Sequence, residues 1–309
     1  MEPFQLKLSN GGTVAGVHSI PPASTSPVKY RPLIVGLHGG CYDSQYFKGT
    51  PKFSASIASQ AFGVPFVSID RPSYGGTSCI LPVPEGSDFY AETGHWLHHY
   101  ILPTLWAEIG VPSQCNSIVL LAHSLGVMGG IVAAALHSQD HGSRYPLSGL
   151  IASGMGNTQA PIMKTTPPGH THVDENHVVF PAENKDAIMF KPGTVAREIL
   201  DLCEHFNAVS PLPEIYQFPT MWLPIWKERW AARVSVPVLF TLVEDDPFFV
   251  ADEVELEICA RAFEKSVHVE RDLFRDAPHC IELSYWSQAW YARCFGFAME
   301  CSASFSVRV

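Results

Sequence analysis

Ser117-Ile118-Val119-Leu120-Leu121-Ala122-His123-Ser124-Leu125-Gly126 is the stretch that decides the fold. Residues 117–122 are a continuous apolar run of strand length, and the pattern over 125–137 predicts a helix. No proline and no cluster of turn residues separates the two, so the chain must reverse direction at Ser124 itself. A turn that tight brings strand and helix backbones close together, which favours small residues on both sides: here Ala122 and Gly126. The serine hydroxyl is then held at the carboxyl end of a strand, the edge at which open α/β sheets bind ligands. A serine that merely caps a helix between small residues is the bland alternative, and the surrounding elements weigh against it.

Upstream, two short alternating segments, 4–8 and 13–18, flank Asn10-Gly11-Gly12 and predict a hairpin. A connector carrying Pro21, Pro22 and Pro27 leads into the apolar run 33–37, which ends in His38-Gly39-Gly40. A helix is expected over 53–61 and a buried strand over 65–69, ending in Asp70-Arg71-Pro72. A long helical stretch over 89–108 follows, which Pro103 should kink or divide. Downstream, strands are expected at 147–153, 236–243 and 267–272, with helices at 251–264 and 283–294. Apolar strands that each lead into a helix predict an α/β fold: a mostly parallel twisted sheet with helices on both faces.

Residues 156–233 break the alternation. This interval holds Pro161, Pro167, Pro168, Pro211, Pro213, Pro219 and Pro224 together with many aromatics. It is too long for a structureless loop in a compact domain. The expectation is a core domain formed by 1–155 and 234–309, with 156–233 inserted as a mostly helical cap.

Composition narrows the function classes. The 309 residues are 46% hydrophobic and only 16% charged, enough for a large core. A net charge of −10 and no Lys/Arg-rich run argue against nucleic acid and against docking on anionic membranes. No basic segment followed by an apolar one opens the sequence, and no apolar stretch approaches the roughly 20 residues of a membrane span. The eight cysteines are scattered without a CxxC pair, and with no leader this predicts a cytoplasmic protein.

Four further features fall in order along the chain. His38-Gly39-Gly40 ends an early strand, and Asp70-Arg71-Pro72-Ser73-Tyr74-Gly75-Gly76 ends the next. Glu244-Asp245-Asp246-Pro247 follows the apolar run 239–243, and His279 lies in Asp276-Ala277-Pro278-His279-Cys280, between the last strand and the last helix. With the strand–serine–helix junction, these resemble the α/β-hydrolase fold family over nearly the whole chain outside the cap. The junction is similar to that family's nucleophile elbow, G-x-S-x-G, with Ala122 in place of the first glycine. The resemblance implies Ser124 as nucleophile, His279 as general base and an acid in the loop after residue 243. Asp246 is preferred over Asp245, because the family's acid loop commonly ends in Asp-Pro and the residue before a proline is pushed toward extended backbone. The backbone N–H groups of Gly40 and Leu125 would form the oxyanion hole.

The activity so implied is hydrolysis of a carboxylic ester or lactone of an apolar small molecule through an acyl-enzyme, with no cofactor and no metal. A thioester, a C–C bond beside a carbonyl and acyl transfer use the same groups, and a ligand receptor can be built on the same fold. His95 and His99, at i,i+4, and the group His170, His172 and His177 lack the partners of a zinc site. Trp222, Trp226 and Trp230 recur at i,i+4,i+8, the pattern of a helix packing on the sheet domain. Trp222 and Trp226 are also candidate pocket walls, as are Tyr42 and His123, and Phe180, Phe190, Phe206, Tyr216 and Phe218 supply further apolar surface.

Overall fold

The computed structural model describes residues 1–165 and 169–308. Pro167 and Pro168 of the insertion lie outside the described residues. Among the described residues the strands are β1 (Glu2–Lys7), β2 (Thr13–Ser19), β3 (Pro32–Leu37), β4 (Phe66–Ile69), β5 (Ser117–His123), β6 (Leu147–Ser153), β7 (Thr171–His172), β8 (His177–Val179), β9 (Ser210–Pro211), β10 (Val238–Val243) and β11 (Val269–Phe274). Eight of them form one sheet in the order β1-β2-β4-β3-β5-β6-β10-β11. β1 and β2 pair as the antiparallel hairpin turned at Asn10-Gly11-Gly12, and β2 is antiparallel to β4. From β4 through β11 all neighbours are parallel.

Each parallel strand feeds side chains alternately to two apolar layers. On β5, Ile118, Leu120 and Ala122 join one core and Val119 and Leu121 the other. The helices Ala55–Phe62 and Ser287–Arg308 cover one face. Phe89–Trp96, Gly126–Gln139 and Glu253–Arg261 cover the other. Burial on both faces explains why these strands read as unbroken apolar runs. Because β4 and β5 lie on opposite sides of β3, the loops leaving β3 and β5 diverge and open a crevice at their carboxyl ends.

One interruption agrees with expectation and two boundaries differ from it. Pro103 does divide its helix: i→i+5 turns flank the segment Leu102–Leu105, with Leu102 N–H donating to the Leu97 carbonyl and Val111 N–H to that of Trp106. This wider turn accommodates a residue that has no N–H to give. The last helix runs on to Arg308, because Phe295, Phe297, Ala298 and Cys301 continue its buried face beyond Cys294. The last strand sits about two residues later than its apolar pattern suggests, at Val269–Phe274.

Among its described residues the regular structure of the segment 156–233 consists mainly of short helical pieces, as expected, with little strand. β7, β8 and β9 form a small antiparallel sheet, and its longest helix, Ala182–Met189, has 8 residues. The three tryptophans do not share one helix, since the turn Phe218–Trp222 and the short helix Trp226–Arg229 are separate pieces. Pro219 and Pro224 interrupt what the spacing alone suggested.

Candidate active site

Ser124 stands between β5 and the helix Gly126–Gln139 with φ 51°, a left-handed conformation unusual for a residue with a Cβ. The turn is held by Ser124 N–H donating to the Ser153 carbonyl at 2.7 Å and by Val127 N–H donating to the Ser124 carbonyl at 2.9 Å. Gly126 has no room for a side chain: a Cβ there would lie 2.5 Å from the carbonyl oxygens of Leu37 and His38. The helix therefore starts pressed against the end of β3, and Ser124 faces the crevice between the two loops.

His279 comes from the loop after β11 and reaches Ser124, with Nε2 3.0 Å from Oγ. Its Nδ1 lies 2.7 Å from Asp246 Oδ2. Donation from Nδ1–H to the carboxylate leaves Nε2 free to accept from the serine hydroxyl, so the network itself assigns the tautomer. Asp246 is held in turn through Oδ1, which accepts from the backbone N–H groups of Phe248 at 2.8 Å and Phe249 at 3.2 Å. All three side chains are buried or nearly so. The neighbouring Asp245 takes φ 59° and turns outward, where it pairs with Lys191 at 3.0 Å. The Phe248 ring stands edge-on to the His279 ring at 4.6 Å and limits its rotation.

Ser124, Gly40 and Leu125 share the wall of a cavity of about 290 Å³. Its other walls are mainly apolar: Met163, Phe180, Ile188, Met189, Ile215 and Phe218 from the insertion, and Phe248 and Phe249 from the loop after β10. Cys41 N–H donates to Ser210 Oγ at 3.1 Å and so is occupied, whereas Gly40, one residue earlier, lines the cavity. The charged groups at the wall are Lys185 and Glu214. Lys185 Nζ donates to the Phe206 carbonyl at 2.9 Å, lies 3.0 Å from Asp186 and sits over the Tyr42 ring at 4.2 Å.

The remaining candidates lie elsewhere. Tyr42 is buried behind the wall, with the Cys280 thiol 3.5 Å from its hydroxyl. His123 is buried too, stacked on Tyr46 at 5.2 Å and bonded through Nδ1 to Ser153 Oγ at 3.1 Å. Burial holds its pKa well below the usual histidine range, so it is neutral. Trp222 and Trp226 are not pocket walls. Their rings stack on each other at 6.3 Å inside the core beneath the insertion, and Trp226 Nε1 donates to Asn157. Large indoles gain most where their whole surface leaves water, and that is the core rather than the cavity. Phe190 and Phe206 likewise belong to the core, while Tyr216 lines the cavity. In the sequence, nothing but their place after Asp246-Pro247 marks Phe248 and Phe249. Among the described residues no three His, Cys, Asp or Glu side chains cluster to hold a metal ion. Nor, among them, is any helix long and apolar enough to cross a membrane.

A sequence model of the alpha/beta hydrolase family matches residues 34–293. No curated protein sequence matches the chain. Among solved structures, a soluble variant of monoglyceride lipase from Saccharomyces cerevisiae superposes with a TM-score of 0.61 at 15% identity, covering 97% of this chain and 95% of that one. DcsB in complex with its substrate analogue gives 0.61 at 16% identity, covering 98% and 99%. A monoacylglycerol lipase from Paleococcus ferrophilus gives 0.56 at 15%, covering 97% and 100%. Likeness at these identities concerns the fold.

Proposed function

The chain belongs to the alpha/beta hydrolase family, and on that premise we propose that it is a serine hydrolase cleaving a carboxylic ester or lactone of an apolar small molecule. The observation that carries this reading is the unbroken chain Asp246–His279–Ser124, whose serine end opens into an apolar cavity. Ser124 Oγ attacks the acyl carbonyl while its proton passes to His279 Nε2. Asp246 stabilises the imidazolium and holds its orientation. The developing oxyanion accepts from the N–H groups of Gly40 and Leu125. Collapse of the tetrahedral intermediate transfers the proton from His279 to the leaving oxygen and leaves an acyl-enzyme. Water, deprotonated by the same imidazole, then releases the acid and restores Ser124.

In this reading residues 156–233 form a cap over a core made of 1–155 and 234–309, and the cap sets which acyl groups fit. The walls drawn from that segment favour hydrocarbon over charge. The test is turnover of p-nitrophenyl butyrate by Ser124→Ala. Alanine fits the elbow, and the rate is expected to fall at least about 10³-fold. A variant that keeps a rate near wild type overturns the assignment.

A further inference from the structure

A buried ion pair joins the segment 156–233 to the loop after β4. Glu214, on the short helix Leu212–Tyr216, takes the Arg71 guanidinium in a two-pronged contact, through Nη1 to Oε1 and through Nη2 to Oε2 at 3.2 Å. Both side chains are only 1% exposed. Tyr74 donates its hydroxyl to Glu214 Oε2, and Tyr90 donates to the Glu214 backbone carbonyl, so the glutamate is fully bound. Such a pair gains little stability over well-packed apolar groups, because both charges must be stripped of water. Its position relative to Ser124 suggests another use.

Arg71 Nη2 also donates to the carbonyl of Gly39 at 3.2 Å. A second donor reaches that oxygen: His38 Nδ1, at 2.7 Å. His38 Nε2 accepts from Arg71 N–H at 3.1 Å, which places the ring proton on Nδ1. Burial and the neighbouring Arg71 charge keep this imidazole neutral, as the arrangement requires. The Gly39 carbonyl and the Gly40 N–H belong to one peptide unit. That unit is planar and trans, so anchoring its oxygen on one side fixes where its N–H points on the other. Between two glycines the peptide is otherwise unusually free to rotate. Residue 39 has little space in any case, since a Cβ there would lie 3.0 Å from Ser124 Cβ.

We infer that Arg71 is a positioning residue for the oxyanion hole and that Glu214 makes its setting depend on the seating of the cap. With Glu214 in place, Arg71 is held where it pins the Gly39 carbonyl and aims the Gly40 N–H into the cavity. When the cap lifts, the guanidinium loses its partner and is free to leave the carbonyl, and the peptide is held by His38 alone. The oxyanion hole is then complete only beneath a closed cap, when water is excluded. This inference rests on the serine-hydrolase reading given above.

The test compares wild type with Arg71→Lys, Arg71→Met and Glu214→Gln. Glu214→Gln keeps the shape of the side chain while replacing one accepting oxygen by an NH2 donor, and is the variant best suited to fold. Two quantities are read per correctly folded molecule: kcat and KM for p-nitrophenyl acetate, which is too short to test the cap walls, and the inhibition constant of a phenylboronic acid, whose adduct on the serine places an oxygen in the hole. The expected result is a fall in kcat of at least about tenfold with KM little changed, matched by a similar weakening of boronate binding. The effects of Arg71→Met and Glu214→Gln should not add in the double variant, since both act on one peptide. A lowered melting temperature with kcat and boronate affinity unchanged per folded molecule makes the pair structural and overturns the inference. A variant that fails to fold in every case does the same. Ser124→Ala, run alongside, separates the two levels: if it retains turnover, the serine reading itself has failed, whatever Arg71 does.

Discussion

At Ser124 and Gly126 the backbone, more than the side chains, sets what substitutions the site tolerates. A methyl group at Gly126 would meet two main-chain oxygens at 2.5 Å, and neither can move without displacing β3. Gly126→Ala is expected to cost about 1–3 kcal/mol, seen as a lowered midpoint in urea unfolding, and to impair turnover as the serine shifts. Asp246 and Asp245 give a sharper contrast. Asp246→Asn should lower kcat by several orders of magnitude, about 10⁴-fold, because the amide favours the wrong histidine tautomer. Asp245→Asn loses an exposed pair with Lys191 and should cost about tenfold or less. Steady-state kinetics on one ester separates the two. At this scale the sequence was informative wherever a residue's place in the fold follows from its chain neighbours. His38, Gly40, Ser124, Leu125, Asp246 and His279 each sit at the end of a recognisable strand. Tyr42, His123, Trp222 and Trp226 do not, and their places depend on how the insertion packs, which no local pattern states.

Among the elements, the central strands β3, β4, β5, β6 and β10 were legible because burial on both faces makes each a largely apolar run. The small sheet was not, since β7, β8 and β9 have 2 or 3 residues each, too few for any periodicity to show. The division of function within the insertion follows from which pieces meet the cavity. Ile215 and Phe218 line it, whereas Trp226 is sealed in the core with Phe263 against it. Phe218→Ala or Ile215→Ala should therefore alter the ranking of p-nitrophenyl esters by acyl length, with octanoate affected more than acetate. Trp226→Ala should instead lower the melting temperature, at a cost of about 3–5 kcal/mol, and reduce all substrates in the same proportion. A change of chain-length preference in Trp226→Ala, with none in Phe218→Ala, would reverse the two roles.

Across the whole molecule, the buried histidines link stability to pH. Burial lowers the pKa of His98 to about 4, and those of His38 and His123 lie well below the ordinary value. Each is neutral when folded but takes up a proton near pH 6.5 once unfolded. Their contribution is complete above that pH and is lost as pH falls toward the folded value. Glu282 and Asp43, whose carboxyls burial pushes up, act in the opposite sense, so the informative quantity is a difference between proteins. The melting temperature of wild type should drop between about pH 6.5 and pH 4, and His98→Phe should drop less over the same window. An identical pH dependence in the two proteins would remove His98 from the account.

The claim on which the rest depends is that Ser124 is an activated nucleophile at the floor of the cavity. Mass spectrometry of the native protein after brief treatment with a fluorophosphonate addresses it most directly. The account predicts a single stoichiometric adduct on the peptide carrying Ser124, abolished in Ser124→Ala and slowed at least about 10³-fold in His279→Ala. Native protein that leaves Ser124 unmodified, or takes the label at another serine while still cleaving esters, would contradict it.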